Sequence, residues 1–272
     1  MVEKVQAIVL SGGSVFGLSA ADGVTRWLAK RGCGFPLNKG KVAPIVPAAS
    51  LFDLGRGQDY VPPIGPDWGV KACESASSGP IPVGCVGAGT GAVTGGIKGG
   101  LGSASEILET GLAVAALVAV NSLGSVINPA TGLLWEVHLE VDGEFGLLGR
   151  RAVKLPAAAT QDSPSNTTIG VIATDAVLTK AQAQKVAQMA HDGLARAIRP
   201  AHTMFDGDTI FCVATGKRNL QERKGFFAAP MAEAINELGR AAADCTTRAI
   251  VHAVLEGHSI GEIKAFRDLQ QR

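Results

Sequence analysis

The spacing of hydrophobic and polar residues predicts most of the secondary structure of this chain. Continuous apolar runs at Val5–Leu10 and Gly111–Val120 predict strands that are covered on both faces. A stretch rich in β-branched residues, Thr167–Thr174, predicts a third strand. Apolar residues at helical spacing predict helices over Leu18–Lys30 and Pro230–Glu256.

Turn formers and capping residues predict the remaining elements. Thr179 and Gln182 have the spacing of a capping box, so a helix should begin there, and Pro200 should end it. The other predicted elements are strands at Pro47–Leu54 and Leu133–Leu139, a turn into a strand over Ala201–Val213, a helix at Asp67–Ser78, a linker at Gly149–Ser165 and a short terminal helix within Ser259–Arg272. This mixture of strands and helices predicts sheets covered by helices on their outer faces.

Composition narrows the class of protein. The 272 residues suit one large domain or two small ones, and 46% of them are hydrophobic, which is enough for a large core. The formal net charge is +1 without a basic stripe, which argues against nucleic acid as a partner. The five cysteines lack zinc-ligand or redox spacing, and the longest apolar run is too short to span a bilayer. We therefore expect a soluble cytoplasmic protein with no membrane partner, no cofactor and no metal.

The most informative stretch for chemistry is the junction of Asn166 and Thr167, where a polar, proline-containing loop enters a strand. If the chain cuts itself there, Thr167 becomes a new N-terminus that carries a hydroxyl and an amine on one residue. A free α-amine has a pKa of about 7.7–8.0, so it can act as the base for its own hydroxyl. The cut would be attack by the Thr167 hydroxyl on the Asn166 carbonyl, followed by hydrolysis of the ester. The plainer interpretation is a loop–strand junction, and Asn166-Thr167-Thr168 is also a glycosylation sequon.

Two glycine-rich loops allow a different function. The loop at Ser11–Gly17 precedes a helix and could hold an anion, although it has neither a P-loop pattern nor a Gly-x-Ser-x-Gly elbow. The segment Gly87–Ala92 matches Gly-x-Gly-x-x-Ala, a weak dinucleotide signature. Its alternative is a glycine-rich hairpin that lets Lys98 stand in a tight cleft, whereas most lone lysines are solvated surface residues.

Three further polar positions have an ordinary and a functional interpretation. Asn121 leaves a buried strand into a glycine turn, where asparagine is a common turn residue, but its amide can also donate to a bound carbonyl. Asp206 and Asp208 are two residues apart, so they either share one face or form a solvated Asp-Gly-Asp turn. A calcium loop would need more oxygen ligands than this pair supplies.

Together these segments resemble the DmpA/BapA family of aminopeptidases and amidases. The matching pieces run in family order over nearly the whole chain, and they are Ala7–Leu18, Gly87–Gly91, Lys98–Gly100, Val120-Asn121, Asn166–Thr168 and Asp206–Thr209. The resemblance implies a self-processing N-terminal-nucleophile enzyme with an αββα sandwich, in which two stacked sheets are flanked by helices. It also implies a single domain over residues 1–272, cut into an α-chain (1–166) and a β-chain (167–272), and a homo-oligomer, commonly a tetramer.

The resemblance implies a role for each matching residue. Thr167 is similar to the family's nucleophile, Asn166 to the residue on the other side of the cut, and Asn121 to the amide that holds the oxyanion. The implied activity is hydrolysis of amide bonds in short peptides or ω-amino-acid oligomers through an acyl-enzyme on Thr167.

The charged residues resemble the network around the family's nucleophile. Lys98 beside the new amine would help keep that amine neutral, because like charges oppose protonation. Asp206 and Asp208 would offset Lys98 and orient the threonine, and they could also hold the amine of an incoming peptide.

The chain departs from the family pattern at four points. Threonine replaces the serine of the β-aminopeptidase branch, and Asp206-Gly207-Asp208 replaces that branch's Ser-x-Glu; both features look more like the nylon-oligomer (6-aminohexanoate oligomer) hydrolases. Phe52 stands where members often carry a tyrosine. Several dozen residues that usually precede the Val5 strand are missing, which predicts an incomplete sheet edge and pocket wall.

Two rival hypotheses stay open: a nucleotide- or phosphate-binding protein that uses the glycine-rich loops, and a non-catalytic relative that keeps the fold.

Overall fold

The computed structural model describes residues 2–56, 60–155, 166–221 and 230–272. The helices are α1 (Ser14–Gly17), α2 (Ser19–Lys30), α3 (Pro66–Ser75), α4 (Gly146–Gly149), α5 (Lys180–Ala197) and α6 (Pro230–Leu255). The strands are β1 (Val9–Ser11), β2 (Phe35–Pro36), β3 (Val42–Ala43), β4 (Ala48–Ser50), β5 (Val93–Thr94), β6 (Ile97–Lys98), β7 (Gly100–Ile107), β8 (Ala113–Val120), β9 (Ile169–Ala176) and β10 (Thr209–Arg218). Short 3₁₀ helices lie at Asn38–Gly40, Gly87–Gly89, Val137–Leu139 and Phe266–Asp268.

These elements stack in four layers. The central sheet has the order β10-β9-β8-β7, with β9 and β10 parallel and the other neighbours antiparallel. α5 and α6 pack on this sheet and on each other. The parallel pair of β1 and β4 faces the opposite side of the central sheet, and α2 packs on β1 and on α3. The predicted arrangement of two stacked sheets flanked by helices is confirmed.

Two apolar clusters join the layers. The larger cluster includes Val114 and Val118 of β8 and Leu238 of α6, and it lies between the central sheet and the helices. The smaller cluster includes Ala119 and Ile169 on the opposite face of the central sheet, where they meet Leu51 beside β4. Successive side chains of a strand point to opposite faces, so the helix-facing side of β8 is buried throughout, whereas its other side is partly buried at Leu117 and fully buried at Ala119. Contact on both faces explains the continuous apolar sequence.

Most predicted elements are present with slightly shifted ends. The strands predicted at Gly111–Val120 and Thr167–Thr174 correspond to β8 and β9, and four of the five predicted helices correspond to α2, α3, α5 and α6. The Thr179 capping box forms, since its hydroxyl accepts from Gln182 N–H and the Gln182 side chain accepts from Thr179 N–H. This box starts α5 because it satisfies two amides that have no partner within the helix.

Two predicted elements are wrong. Leu133–Leu139 contains one isolated bridge and a 3₁₀ turn instead of a strand, and Ser259–Arg272 contains isolated bridges and the 3₁₀ turn at Phe266–Asp268 instead of a helix. The tail pairs with another loop, because Lys154 N–H donates to Gln270 O at 2.9 Å and Arg272 N–H donates to Ala152 O. Tertiary contacts of this kind override weak local periodicity.

Strand β7 has no counterpart among the predicted elements. Its glycines are needed because α6 lies directly against the strand backbone: a Cβ on Gly102 would lie 1.9 Å from Ala249 O, and one on Gly100 would lie 2.4 Å from Ala253 O. In sequence these glycines look like turn residues, because the helix that requires them is more than a hundred residues away.

Some predictions fall outside what the structure tests. Residues 156–165 of the predicted linker lie outside the described residues. The single domain and the cut after Asn166 stay predictions. Within the part of the chain that the structure describes, no helix is long and apolar enough to cross a membrane.

Candidate active site

The topology of the central sheet brings the polar residues predicted from sequence to one edge. β8 ends at this edge, directly before Asn121, and the antiparallel or parallel neighbours β7, β9 and β10 begin there. The register of β8 and β9 continues beyond the strands, so that Thr167 N–H donates to Asn121 O at 2.7 Å. Asn166 forms a parallel bridge with Asp206 before β10, and Lys98 lies directly before β7.

The peptide between Asn166 and Thr167 has a donor on each side of its carbonyl. The Thr167 hydroxyl donates to Asn166 O, and Gly207 N–H donates to the same oxygen at 3.1 Å. Asn166 is 2% exposed. A Cβ on Gly207 would lie 3.1 Å from Thr167 Oγ1, so the absence of a side chain there leaves space for the hydroxyl. The Gly207 N–H can polarise the Asn166 carbonyl, and the Thr167 hydroxyl lies next to the same carbonyl.

Asp206 and Asp208 hold the loop around Thr167 through all four carboxylate oxygens. Asp206 Oδ1 accepts from Leu123 N–H at 3.1 Å, and its Oδ2 accepts from the N–H and the hydroxyl of Thr203. Asp208 Oδ1 accepts from Thr168 N–H at 2.8 Å, and its Oδ2 lies 2.8 Å from His202 Nδ1. The Asp208 side chain is 5% exposed, so the interpretation as a solvated turn is wrong.

The amide of Asn121 has a fixed orientation. Its Oδ1 accepts from Val93 N–H at 3.0 Å and from Arg56, and its Nδ2 donates to Phe52 O at 2.9 Å. Because the Val93 amide can only donate, the Oδ1 and Nδ2 assignments are determined. Among the described residues, neither end of this amide bonds to the Asn166 carbonyl, and its expected oxyanion role stays a prediction.

Lys98 is completely buried, so the interpretation as a surface lysine is wrong. Its ammonium donates to the carbonyls of Gly89, Ala92 and Gly99 at 2.8–2.9 Å. Burial lowers the pKa of Lys98; nearby Cys85 and Asp53 oppose this shift, and the positive Arg56 adds to it. The glycine-rich hairpin is confirmed: β5 pairs antiparallel with β6 around a two-glycine turn. The three hydrogen bonds of the Lys98 ammonium go to backbone carbonyls, and its expected role beside Thr167 stays a prediction.

Arg56 is a site residue that sequence reasoning missed. Its Nη1 donates to Asn121 Oδ1 and to Gly91 O at 3.2 Å, and its Nη2 lies 3.5 Å from Asn166 Oδ1. Burial lowers the pKa of Arg56, and nearby Asp53 opposes this shift. The available signal was a cation between two glycines directly after a predicted strand. Arg56 contacts the side chains of both asparagines that flank Thr167.

The two glycine-rich loops meet at Asp53. Gly13 N–H donates to Asp53 Oδ1 at 2.6 Å, and a Cβ on Gly12 or Gly91 would lie 2.6 or 2.2 Å from Asp53 Oδ2. A carboxylate therefore already uses an amide that a phosphate would need, which disfavours the nucleotide-binding hypothesis. In the described ranges, no three His, Cys, Asp or Glu side chains lie close enough together to hold a metal ion.

Solved structures share this fold. A β-aminopeptidase of Burkholderia aligns with a TM-score of 0.65 and 24% identity, over 94% of this chain and 69% of that one. The L-aminopeptidase D-Ala-esterase/amidase of Ochrobactrum anthropi aligns with a TM-score of 0.65 and 25% identity, over 96% and 69%. The latter is described as a variant of the N-terminal-nucleophile hydrolase fold, and this is the fold class of the present chain.

Sequence comparison gives the family. The family model of peptidase family S58 matches residues 1–266, and the chain belongs to this family. An uncharacterized aminopeptidase of Mycobacterium tuberculosis is 45% identical over 277 residues, which cover 98% of this chain and 79% of the relative. A 6-aminohexanoate-oligomer endohydrolase of Kocuria is 28% identical over 263 residues, which cover 91% and 71%. The resemblance to the DmpA/BapA family is confirmed.

Proposed function

We propose that this protein is a self-processing amide hydrolase of the aminopeptidase type, with Thr167 as an N-terminal nucleophile. Membership in peptidase family S58 and relatives named as aminopeptidases and oligomer hydrolases support amide hydrolysis. The observation that carries the proposal is the contact between the Thr167 hydroxyl and the Asn166 carbonyl, which also accepts from Gly207 N–H.

Self-cleavage proceeds by transfer of an acyl group from nitrogen to oxygen. The Thr167 hydroxyl attacks the Asn166 carbonyl carbon, the oxyanion is held by Gly207 N–H, and the C–N bond breaks as the nitrogen takes up a proton. Water then hydrolyses the ester, which leaves a carboxylate on Asn166 and restores the hydroxyl of Thr167. Removing one oxyanion donor in such steps typically slows them by about 10²–10³-fold.

Turnover uses the amine that the cut releases. This amine takes the proton of the Thr167 hydroxyl as the oxygen attacks the substrate amide, and it returns a proton to the leaving amine. Water hydrolyses the acyl-enzyme and regenerates the free threonine. Asn121 O, which accepts from the Thr167 nitrogen at 2.7 Å, keeps this amine in position after the cut.

The surrounding charges position Thr167. Asp208 fixes the following residue by accepting from Thr168 N–H, and Asp206 fixes Leu123 N–H, two residues after Asn121. Lys98 and Arg56 add positive charge, which favours the neutral amine and stabilises a developing oxyanion. In this proposal, Arg56 also holds the Asn121 amide in place.

The substrates are short peptides with a free amino end or linear ω-amino-acid oligomers. The two groups of relatives, aminopeptidases and 6-aminohexanoate-oligomer endohydrolases, support both classes. A homo-oligomer and a cytoplasmic location complete the proposal.

The intact mass of purified protein tests the cut. Wild type should give two chains that divide after Asn166 and whose masses sum to that of the precursor, 27.8 kDa, plus one water. Thr167→Ala should stay whole and Thr167→Ser should still be cut. The matched control is Thr168→Val, because the Thr168 hydroxyl is buried without a hydrogen-bond partner among the described residues, so that its loss should leave the cut intact.

A wild-type chain that stays whole after prolonged incubation, while correctly folded, would overturn this proposal. Cutting without hydrolysis of any amine-bearing amide would instead favour the non-catalytic relative. Micromolar binding of a nucleotide by an uncut chain would favour the phosphate-binding hypothesis.

A further inference from the structure

The carboxylates beside Thr167 are not available to bind a substrate amine. Each oxygen of Asp206 and Asp208 already accepts a hydrogen bond or lies in an ion pair, and the donors include the backbone amides of Leu123 and Thr168. An ammonium could take these oxygens only by leaving backbone amides without acceptors, which is unfavourable. If the enzyme recognises a free amino end, another group must do so.

A cavity of about 670 Å³ lies between β1, α2, α3 and the glycine-rich loops. Its wall is mostly apolar and includes Leu10, Val24, Ile64, Trp68, Ala72 and Ile260. Among the described residues that line it, the charged ones are Asp53 and Arg56. A wall of this kind suits a ligand with an apolar chain and a charged end.

Asp53 presents an oxygen that can bind a cation. Its Oδ1 accepts from Gly13 N–H, whereas its Oδ2 has no hydrogen-bond partner within the ranges that the structure describes. A Cβ on Gly12 or Gly91 would lie 2.6 or 2.2 Å from Oδ2, so the absence of a side chain at these two positions leaves room for this oxygen. Arg56 interacts with Asp53 through Coulomb attraction, while its own hydrogen bonds go to Gly91, Asn121 and Asn166.

Arg56 connects this cavity to the Asn166–Thr167 peptide. It lines the cavity and donates to Asn121 Oδ1, and Asn121 O in turn accepts from Thr167 N–H. Arg56 is thus shared between the cavity wall and the two asparagines beside Thr167.

We propose that this cavity binds the acyl side of the substrate and that Asp53 binds its free ammonium group. This inference rests on the proposed function and assigns its substrate class: amides whose acyl part is an apolar chain with an unblocked amino end. Asp53 thereby selects amines over carboxylates, and Asp206 and Asp208 position the catalytic residue.

Paired substrates test the assignment. Hydrolysis of aminohexanoyl para-nitroanilide should be compared with hydrolysis of its N-acetyl derivative, for wild type, Asp53→Asn and the matched control Asp22→Asn, whose residue forms an exposed ion pair with Arg26 on α2. Asp53→Asn keeps an oxygen for Gly13 N–H and removes the charge. We expect it to raise KM for the free amine about 10- to 100-fold, as for loss of a charge-assisted hydrogen bond, and to change kcat less. Preference for the free amine over the acetylated substrate should shrink by the same factor, and Asp22→Asn should match wild type.

A second measurement uses only wild type, in case Asp53→Asn does not fold. Hexylamine should compete with the substrate, whereas hexanoate and hexanol should compete at least about tenfold more weakly. Hexanoate as the stronger competitor would assign the cavity to Arg56 and overturn the proposal, as would an unchanged preference in folded Asp53→Asn. Failure of the proposed function is distinguishable, because then wild type neither cuts itself nor hydrolyses either substrate.

Discussion

Gly207→Ala tests whether the Thr167 hydroxyl performs the cut. The new Cβ would lie 3.1 Å from Thr167 Oγ1 and 3.5 Å from its Cγ2, closer to the hydroxyl than ordinary van der Waals contact. The backbone N–H that donates to Asn166 O at 3.1 Å is retained. Gly207 is not among the glycines with positive φ, so alanine is compatible with the backbone there. The substitution therefore displaces the hydroxyl and leaves the carbonyl and its donor unchanged.

The displacement is a few tenths of an ångström, because the Cβ and the hydroxyl must separate to normal contact distance. Reactions between aligned groups are sensitive to such shifts, and a misplacement of about 1 Å can cost 10²-fold. We expect self-cleavage of Gly207→Ala to slow by about tenfold, which corresponds to about 1.4 kcal/mol in the barrier.

The assay follows the appearance of the two chains over time after cell-free synthesis, by intact mass. Urea unfolding of the cut-resistant Thr167→Ala background, with and without Gly207→Ala, controls for stability. Gly79→Ala is the matched control, because its Cβ would meet nothing closer than 3.8 Å at an exposed position. If Gly207→Ala cuts as fast as wild type, the Thr167 hydroxyl is not the attacking group in this geometry.

Two further predictions concern stability. Burial raises the pKa of Glu144, but hydrogen bonds from Arg248 and His252 outweigh this and lower it from 4.5 to about 2. A carboxylate with a lowered pKa stabilises the fold above its unfolded pKa and loses this contribution as the pH falls. The free energy of unfolding should therefore decrease between pH 5 and 2 by about 1–2 kcal/mol less in Glu144→Gln than in wild type, after allowance for solvent screening. Equal urea-unfolding profiles of the two proteins over this pH range would contradict this. Lys98→Met should lower the free energy of unfolding by about 2–4 kcal/mol, since three buried carbonyls lose a donor, whereas Lys71→Met, at an exposed ion pair, should change it by less than about 0.5 kcal/mol. A stable Lys98→Met would show that those carbonyls do not need the ammonium.

The sequence predicts the elements whose signals are local. The helices α2, α5 and α6 have apolar residues at helical spacing, and Thr179 and Gln182 mark the start of α5 by a hydrogen-bonding pattern only three residues long. Buried strands such as β8 are recognisable because they are apolar on both faces. The Asn166–Thr167 pair is recognisable because its chemistry, a hydroxyl next to a potential amine, belongs to one residue.

The sequence alone does not predict contacts between distant segments. β7 looks like a turn because it is rich in glycine, and those glycines are required by the close packing of α6 on the strand. The tail after Ser259 looks helical, although its backbone pairs with a loop near Lys154. Lys98 looks like a surface residue because three carbonyls that hold it are distributed around a hairpin that forms only in the fold.

The candidate site divides in the same way. The resemblance to the DmpA/BapA family, whose motifs occur in the same order along this chain, selected Thr167, Asn121, Lys98, Asp206 and Asp208. Only the tertiary structure decided that both aspartates are occupied by backbone amides, that Gly207 donates to the Asn166 carbonyl, and that Asp53 and Arg56 share a cavity wall. These facts depend on strand register and loop packing, which bring the two aspartates to amides 83 and 40 residues away and leave no trace in local spacing.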